Sequence, residues 1–332
     1  MKKSFVLVLM LCLGLLAGCG QTANQQDAEN KNNDPVKQSV ITVVAPKSPA
    51  SIPIFRMIES NCMGDGVQID LQLYSDMEAM MSLASSGDYG ALIVPVHTAA
   101  NLYNKGISVE LVNVCNWGGM YLSTTDPDCN SWEDLEGKEL YVPSKGSIPD
   151  VLTQYFLDLH DLVIGEDVEI VYSNHTEIAQ LLSAGTIKYA IDVQPYVTSN
   201  TKKIEGYKVI SELSEEWKST QGKEYTMPAN CMVANSEYIS GNEELIAKFN
   251  SKFAEAIEWT AGNSTEAGVL ANTYLKADAE LIAAAMPGFC FDYKSAADAK
   301  SDTEQYYNVL LKLKPESIGS MLPKESFYYR GN

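Results

Sequence analysis

Basic residues are scarce in this sequence of 332 residues. Its 24 Lys and Arg residues face 43 Asp and Glu residues, which gives a formal net charge of −19 at pH 7. A surface with this excess of negative charge repels a phosphate backbone, so we expect no nucleic-acid partner.

The sequence also lacks the short motifs of several enzyme and metal-site classes. It has only three histidines, and none of HExxH, GxSxG, GxxxxGK[ST] or CxxC occurs. These absences argue against a zinc hydrolase, an α/β-hydrolase, a nucleotide hydrolase and a dithiol redox site. An SxxK match at residues 199–202 lies in a polar stretch without an accompanying KTG. We expect no catalytic residue, no metal site and no cofactor.

Low-complexity composition is absent as well. The 22 glycines and 13 prolines are too few for a collagen-like or linker-like chain. Hydrophobic residues make up 45% and charged residues 20%, a balance that can bury a core and excludes wholesale disorder. The length suits two ordinary domains or one large one.

The N-terminal residues combine a basic start, an apolar run and a small-residue site that ends in a cysteine. The run over residues 5–16 is short for a membrane span and typical of a signal-peptide core. Leu16-Ala17-Gly18-Cys19 resembles the bacterial lipobox, which implies removal of residues 1–18 and diacylation of Cys19. The alternative is an ordinary signal peptide with a chance cysteine. We expect a lipid anchor at Cys19 on the extracytoplasmic face of the cell membrane and a flexible linker to residue 39.

The remaining cysteines leave their pairing open. Cys62, Cys115, Cys129, Cys231 and Cys290 are odd in number, so at least one is free or pairs outside the chain. Cys115 and Cys129 flank a possible hairpin, and the sequence is consistent both with a disulfide between them and with two free thiols.

Beyond residue 40, strand-like and helix-like segments alternate. Strands are expected at 40–45, 67–73, 91–94, 107–114, 121–124, 140–142, 168–172, 189–193 and 231–234, with helices between them and a helical tail from 242. Ser75 with Glu78, and Ser147 with Asp150, have capping-box spacing. This alternation predicts an α/β protein with parallel-dominated sheets, whose ligands bind beyond the carboxyl ends of the strands and in the cleft between two lobes.

Four segments in order resemble one family. They are residues 91–106 (ALIVPVHTAANLYNKG), 131–157, 190–198 (AIDVQPYVT) and 315–329 (PESIGSMLPKESFYY). They are similar to substrate-binding proteins of ABC importers in the nitrate, sulfonate, taurine and thiamine-precursor group. The resemblance implies a two-lobe type II periplasmic-binding-protein fold with a hinge and an interlobe ligand cleft. Residues 40–117 and 229–332 would form lobe I, and residues 118–228 would form lobe II.

The residues expected to bind the ligand follow predicted strands or lie at the two crossovers. Helix starts and hydroxyls suit an anion or carbonyl group, and aromatic rings suit a planar ligand. For each segment the alternative is a capping or packing role, and the loop at 143–147 is the strongest candidate. The predicted ligand-binding residues are Lys47, Ser48, Ser51, His97, Thr98, Trp117, Ser144, Lys145, Gly146, Ser147, Gln194, Tyr196 and Asn230.

The resemblance implies a monomer that captures a small solute and delivers it to an ABC permease and its ATPase. A heterocyclic vitamin precursor or a small organic anion is the expected solute. Two alternatives stay open: a ligand-processing enzyme on the same fold, and a lipoprotein that presents its ligand to a membrane receptor.

Overall fold

A computed structural model describes residues 39–331 of the chain, and within this range eleven strands form two sheets. The predicted leader, the predicted lipidation site Cys19 and the predicted linker up to residue 38 lie outside the described residues, and Ser39 already belongs to the first strand. The strands are β1 (Ser39–Pro46), β2 (Val67–Tyr74), β3 (Ala91–Pro95), β4 (Val109–Trp117), β5 (Met120–Thr124), β6 (Lys138–Pro143), β7 (Val168–Ser173), β8 (Tyr189–Val193), β9 (Lys208–Glu212), β10 (Pro228–Asn235) and β11 (Phe291–Ser295).

Helices connect most of these strands and cover the sheets. They are α1 (Ile52–Glu59), α2 (Met77–Ser86), α3 (Val96–Asn104), α4 (Ile148–Leu159), α5 (His175–Ser183), α6 (Tyr196–Lys203), α7 (Leu213–Gln221), α8 (Ser236–Ile239), α9 (Glu243–Gly262), α10 (Ser264–Leu275), α11 (Ala279–Ala285) and α12 (Ala296–Leu313). Short 3-10 turns occur at Pro49–Ser51, Glu133–Leu135, Met286–Phe289, Pro315–Ile318 and Glu325–Phe327. None of the helices in residues 39–331 has the length and apolarity of a membrane span.

The two sheets are of mixed direction. The six-stranded sheet has the order β11-β4-β10-β3-β1-β2, with β1 parallel to β2 and β3 and the other pairs antiparallel. The five-stranded sheet has the order β7-β6-β8-β5-β9, with β6 parallel to β7 and β8. This arrangement confirms the predicted α/β class, but the prediction of parallel-dominated sheets was wrong, because five of the nine strand pairs are antiparallel.

The central strands are buried on both faces, as their apolar runs predict. In β3, Leu92 and Val94 pack into one buried cluster, while Ala91 and Ile93 pack into another on the opposite face. Side chains alternate across a strand, so helices on both faces of the sheet find an apolar surface.

Some local predictions were wrong or incomplete. Helix α2 is capped by Asp76, whose carboxylate accepts from the Ala79 N–H at 2.9 Å, instead of by Ser75. A carboxylate one residue later reaches the same free N–H groups. The sequence patterns gave no bounds for the helices α1, α6 and α7, and they did not predict β9 and β11, which are edge strands with few buried side chains.

The chain passes between the two sheets twice, and the two passages lie side by side. The first is Gly118-Gly119 between β4 and β5, and the second is residues 222–227 before β10. The Gly118 N–H donates to the Met227 carbonyl at 2.9 Å. Gly118 has φ +61°, and a β-carbon there would lie 2.8 Å from Ser214 side-chain atoms, so glycine is required at this position.

The five cysteines in the described residues are free thiols. Cys115 and Cys129 are both buried, and they do not pair with each other. The Cys115 thiol donates to the Asn230 carbonyl at 3.3 Å, and the Cys129 thiol lies 3.9 Å from the Ser131 carbonyl. The structure therefore resolves the open question in favour of two thiols.

His160 lies between two carboxylates and links three segments on the side of the five-stranded sheet. His160 Nδ1 lies 2.8 Å from Glu133 Oε1, and His160 Nε2 bonds Glu216. The Trp132 indole N–H also donates to Glu216, at 2.6 Å. Burial of the imidazole opposes protonation, but the hydrogen bonds to Glu216 and Glu133 outweigh it and raise the pKa of His160.

We predict that His160 and His175 have opposite effects on the pH dependence of stability. The raised pKa of His160 means that its proton stabilises the fold below about pH 6.5, and that this contribution is lost as the pH rises through the folded pKa. Burial lowers the pKa of His175, so its contribution is present above about pH 6.5 and is lost at lower pH.

Urea unfolding of the wild type, His160→Gln and His175→Gln at about pH 6 and about pH 8.5 tests this pair. The stability lost in His160→Gln should be larger at the lower pH, by on the order of 0.5 kcal/mol after solvent screening. The stability lost in His175→Gln should be larger at the higher pH. Equal losses at both pH values for His160→Gln would contradict the expectation.

Candidate functional site

A cavity of about 780 Å³ lies where the carboxyl ends of parallel strands from both sheets meet. The residues that follow β1 and β3 line one side, and the residues that follow β6 and β8 line the other. Gly118 and Gly119 of the first passage and Pro228 to Asn230 after the second line it as well. Open α/β sheets bind ligands at such strand ends.

The turn after β1 contributes Ser48 but neither Lys47 nor Ser51 to the cavity wall. Lys47 is exposed, and its backbone N–H donates to the Tyr74 carbonyl at 2.7 Å. Ser51 is fully buried, and its hydroxyl donates to the Pro46 carbonyl at 2.5 Å. The predicted seat for an anion at this turn is therefore reduced to Ser48.

His97 and Thr98 open α3 directly after β3, and both line the cavity. His97 Nε2 lies 3.2 Å from the Thr98 hydroxyl. Burial lowers the pKa of His97 to about 3, with a further contribution from the positive charge of Lys314. The imidazole is therefore neutral near pH 7 and offers a solute a hydrogen bond as donor or acceptor.

In the loop before α4, Gly146 and Ser147 line the cavity, while Ser144 and Lys145 do not. Lys145 Nζ lies 5.5 Å from the centre of the Tyr172 ring. The backbone N–H of Gly146 donates at 2.6 Å to a carboxylate oxygen of Asp150, which is 2% exposed.

The N–H groups of Ser144 and Ser147 are also bonded within the protein, to the carbonyls of Ser173 and Ser144 at 2.9 Å each. Ser147 caps α4 as predicted, but Asp150 reaches Gly146 instead of completing the capping box at Ser147. These three N–H groups are therefore not free to face a solute.

Gln194 follows β8 and lines the cavity, and Tyr196 does not. The Gln194 side-chain oxygen accepts from the Thr198 hydroxyl at 2.8 Å. Tyr196 stacks on His175 with ring centres 5.6 Å apart, and its hydroxyl lies 3.1 Å from the Thr176 hydroxyl.

At the passages between the sheets, Asn230 lines the cavity and Trp117 does not. Trp117 is 4% exposed, and its indole N–H donates to the Asp292 carbonyl at 3.0 Å. Lys294 Nζ lies 4.3 Å from the centre of the Trp117 ring. The Trp117 ring is therefore packed against Lys294 instead of being available for a planar solute.

The sequence reading missed most of the apolar wall and its charged groups. Three methionines and two aromatic residues line the cavity, together with two lysines, one glutamate and two asparagines: Met77, Met81, Met120, Phe289, Tyr306, Lys105, Lys314, Glu316, Asn101 and Asn116. Four of these come from residues 286–317, where the sequence shows helical periodicity but no site motif. The segment at 315–329 was the one signal that pointed to this region.

The wall combines a large apolar surface with a few polar groups, as small-molecule sites do. Thr98 and His97 are the one hydroxyl–imidazole pair that the described cavity residues offer. An imidazole with a pKa of about 3 accepts a proton poorly near pH 7, which argues against general-base activation of that hydroxyl.

No protein-family model matches the chain. YtlA of Bacillus subtilis (strain 168), whose name describes it as a candidate binding protein, is 23% identical over 208 residues. The match covers 61% of this chain and 60% of YtlA, so the chain spans less than two thirds of that relative.

Solved structures are similar over most of the chain. An ABC transporter protein from Parabacteroides distasonis has a TM-score of 0.75 and 20% identity, over 89% of this chain and all of its own. The periplasmic aliphatic sulphonate binding protein SsuA from Escherichia coli has a TM-score of 0.66 and 14% identity, over 87% of this chain and 95% of its own. The chain therefore has the fold of the periplasmic binding proteins of ABC transporters, which confirms the predicted fold.

Proposed function

We propose that this protein is the extracytoplasmic solute-binding lipoprotein of an ABC importer, which captures a small solute between two lobes and delivers it to a permease. The cavity of about 780 Å³ between the two sheets is the observation that carries this proposal. It lies at strand ends, next to the paired passages, and it is lined by both halves of the molecule.

In this proposal the lobes comprise residues 40–117 with 229–332, and residues 118–228. Sheet membership supports this division, because the six-stranded sheet uses strands from 39–117 and 228–295 and the five-stranded sheet uses strands from 120–212. The two passages would then serve as the hinge. Gly118 and Gly119, both with positive φ, can absorb the backbone rotation.

The proposed mechanism is a shift in the population of open and closed forms. A solute that contacts both lobes binds the closed form more tightly than the open one and therefore favours closure. Contacts across the cavity already join the two halves: the Tyr121 hydroxyl donates to the Gly288 carbonyl at 3.2 Å, and the Gln194 amide packs against Gly288. The permease would then bind the surface that forms when the two lobes close.

The cavity wall suits a solute with an apolar or planar body and a polar end. Phe289 and Tyr306 offer rings, and methionine side chains adapt to different shapes. A heterocyclic vitamin precursor and a small organic anion both have this character. A ligand-processing enzyme on the same fold is the alternative, and it is disfavoured by the weakly basic His97.

A thermal-shift screen of the purified protein against heterocyclic vitamins, sulfonates, carboxylates and inorganic anions tests this proposal. A solute that binds the native state at about 100 times its Kd stabilises it by about 2.7 kcal/mol and raises the melting temperature. Recovery of the solute unchanged supports a binding protein. Turnover of the solute would support the enzyme instead.

For the solute found, Ser48→Phe should weaken binding by about tenfold or more, because the phenyl ring would fill part of the cavity. The Ser48 hydroxyl makes no hydrogen bond within residues 39–331, so its replacement breaks no such contact there. The matched control is Lys47→Phe, one residue earlier, which is exposed and outside the wall. Calorimetric titration of both variants measures the difference. Equal affinities for the two variants would contradict the placement of the site.

We also propose that Cys19 carries the lipid anchor. In a bacterial host that processes lipoproteins, the full chain should partition into the detergent phase, because two acyl chains hold a protein stably at a membrane. Cys19→Ala should move the protein into the aqueous phase, while Cys12→Ala should leave its partition unchanged. A detergent-phase Cys19→Ala protein would point to an uncleaved apolar segment as the anchor.

A further inference from the structure

Lys314 is a cavity lysine whose ammonium group has no acidic partner in the described residues. Five other lysines pair with a carboxylate: Lys188, Lys218, Lys252, Lys294 and Lys300. Within residues 39–331, no carboxylate lies within the 4.0 Å limit of an ion pair with Lys314 Nζ. The Lys314 ammonium instead donates to the backbone carbonyl of Gly146.

This hydrogen bond joins the two halves of the molecule across the cavity. Lys314 follows α12 on the side of the six-stranded sheet, and Gly146 follows β6 of the five-stranded sheet. A β-carbon on Gly146, which has φ +77°, would lie 2.9 Å from Lys314 Nζ. The Lys314 ammonium therefore lies directly against the loop that contains Gly146, and both residues line the cavity.

The backbone that carries Lys314 is held rigidly. The Lys314 N–H donates to the Leu310 carbonyl at 2.7 Å, and its carbonyl accepts from the Ser317 N–H at 3.0 Å. The turn that follows is bound to α3, because Asn101 and Asn104 donate to the Glu316 and Ile318 carbonyls at 2.7 Å and 2.6 Å. A cation on such a fixed support has the positioning that ligand recognition needs.

The charges of the cavity wall also favour an anionic solute. Lys105, Lys314 and Glu316 are its formally charged members in the described chain; Lys105 and Glu316 are exposed, and Lys314 is half-buried. A chain of net charge −19 thus has a cavity whose charged side chains are in cationic excess. A half-buried ammonium bonded only to a neutral carbonyl gains from pairing with an anion, because charge-assisted hydrogen bonds are about twice as strong as neutral ones.

We propose that Lys314 is the residue that selects an organic anion as the solute, by pairing with its carboxylate or sulfonate while the Phe289, Tyr306 and methionine wall holds its apolar body. This inference rests on the proposed function and names the solute class of the same site. Without a solute, the Lys314 ammonium donates to the Gly146 carbonyl. When the anion binds, it replaces this carbonyl as the hydrogen-bond acceptor.

Matched anion and amide pairs test the proposal, because they differ in charge and keep the same body. The probes are benzoate with benzamide, hexanoate with hexanamide, and phenylmethanesulfonate with phenylmethanesulfonamide, titrated calorimetrically at one fixed ionic strength. The variants are Lys314→Met, which keeps most of the length of the side chain and removes its charge, Lys105→Met as the other cavity cation, and Lys312→Met as an exposed control on α12.

The wild type should bind the anions more tightly than their amides. Lys314→Met should weaken anion binding by about tenfold or more and change amide binding by less than about twofold. Lys312→Met should behave as the wild type. Circular dichroism and the melting temperature of each variant confirm that it is folded.

Four outcomes would overturn the proposal. An equal loss of anion and amide binding in Lys314→Met would make Lys314 a closure contact and not a selector. Loss of the anion preference in Lys105→Met alone would assign selection to that residue. If the broad screen yields only neutral solutes, the anion assignment fails while the proposed function stands; if the screen yields no solute at all, the proposed function fails with it.

Discussion

The side-by-side passage of the chain between the two sheets is the constraint on which the rest of the structure depends. The Gly118 N–H bonds the Met227 carbonyl, so the two segments that connect the sheets are held together. The parallel strands of the two sheets then direct their carboxyl ends into one gap, where helix starts and loop residues line a cavity. The site is thus a result of topology, and its individual residues are supplied by loops that have little in common in sequence.

Backbone N–H groups beside the cavity are hydrogen-bonded within the protein, so they are not free to bind an anion. The loop at 143–147 uses its N–H groups on Ser173, Asp150 and Ser144. Buried donors without partners are costly, so an unliganded cleft keeps such groups paired. The cationic contribution comes from Lys314 on a separate element, where a long side chain can exchange its partner without disturbing the backbone.

The sequence predicted the fold well because hydrophobic periodicity and helix-ending glycines are local signals. The all-apolar run at 91–94 and the alternation at 67–73 correspond to β3 and β2, and glycine ends α2 at residue 87. The edge strands β9 and β11 were not predicted, because partly exposed strands show no clear alternation of apolar and polar residues. Resemblance over four segments added the two-lobe architecture, which local patterns alone do not contain.

The candidate site was predicted less completely, for a physical reason. Its residues come from many segments spread between residues 48 and 317, and which side chain of a loop faces the cavity depends on tertiary packing. Ser48, His97 and Gln194 line the cavity, whereas Ser51, Lys145 and Tyr196 turn to partners elsewhere in the protein. Phe289 and Tyr306 enter from elements whose sequence resembles ordinary core helix and turn.

Helix α12 has one further consequence for how the molecule can move. At its middle, Gln305 donates to the Gln221 side chain at 2.6 Å and Tyr306 packs edge-on against Trp217 at 5.8 Å, close to the second passage. Lys314 stands about 12 Å farther along the helix axis, at a rise of 1.5 Å per residue. In the proposed hinge rotation about the passages, atoms farther from the axis move farther, so Lys314 would part from Gly146 by more than Tyr306 parts from Trp217.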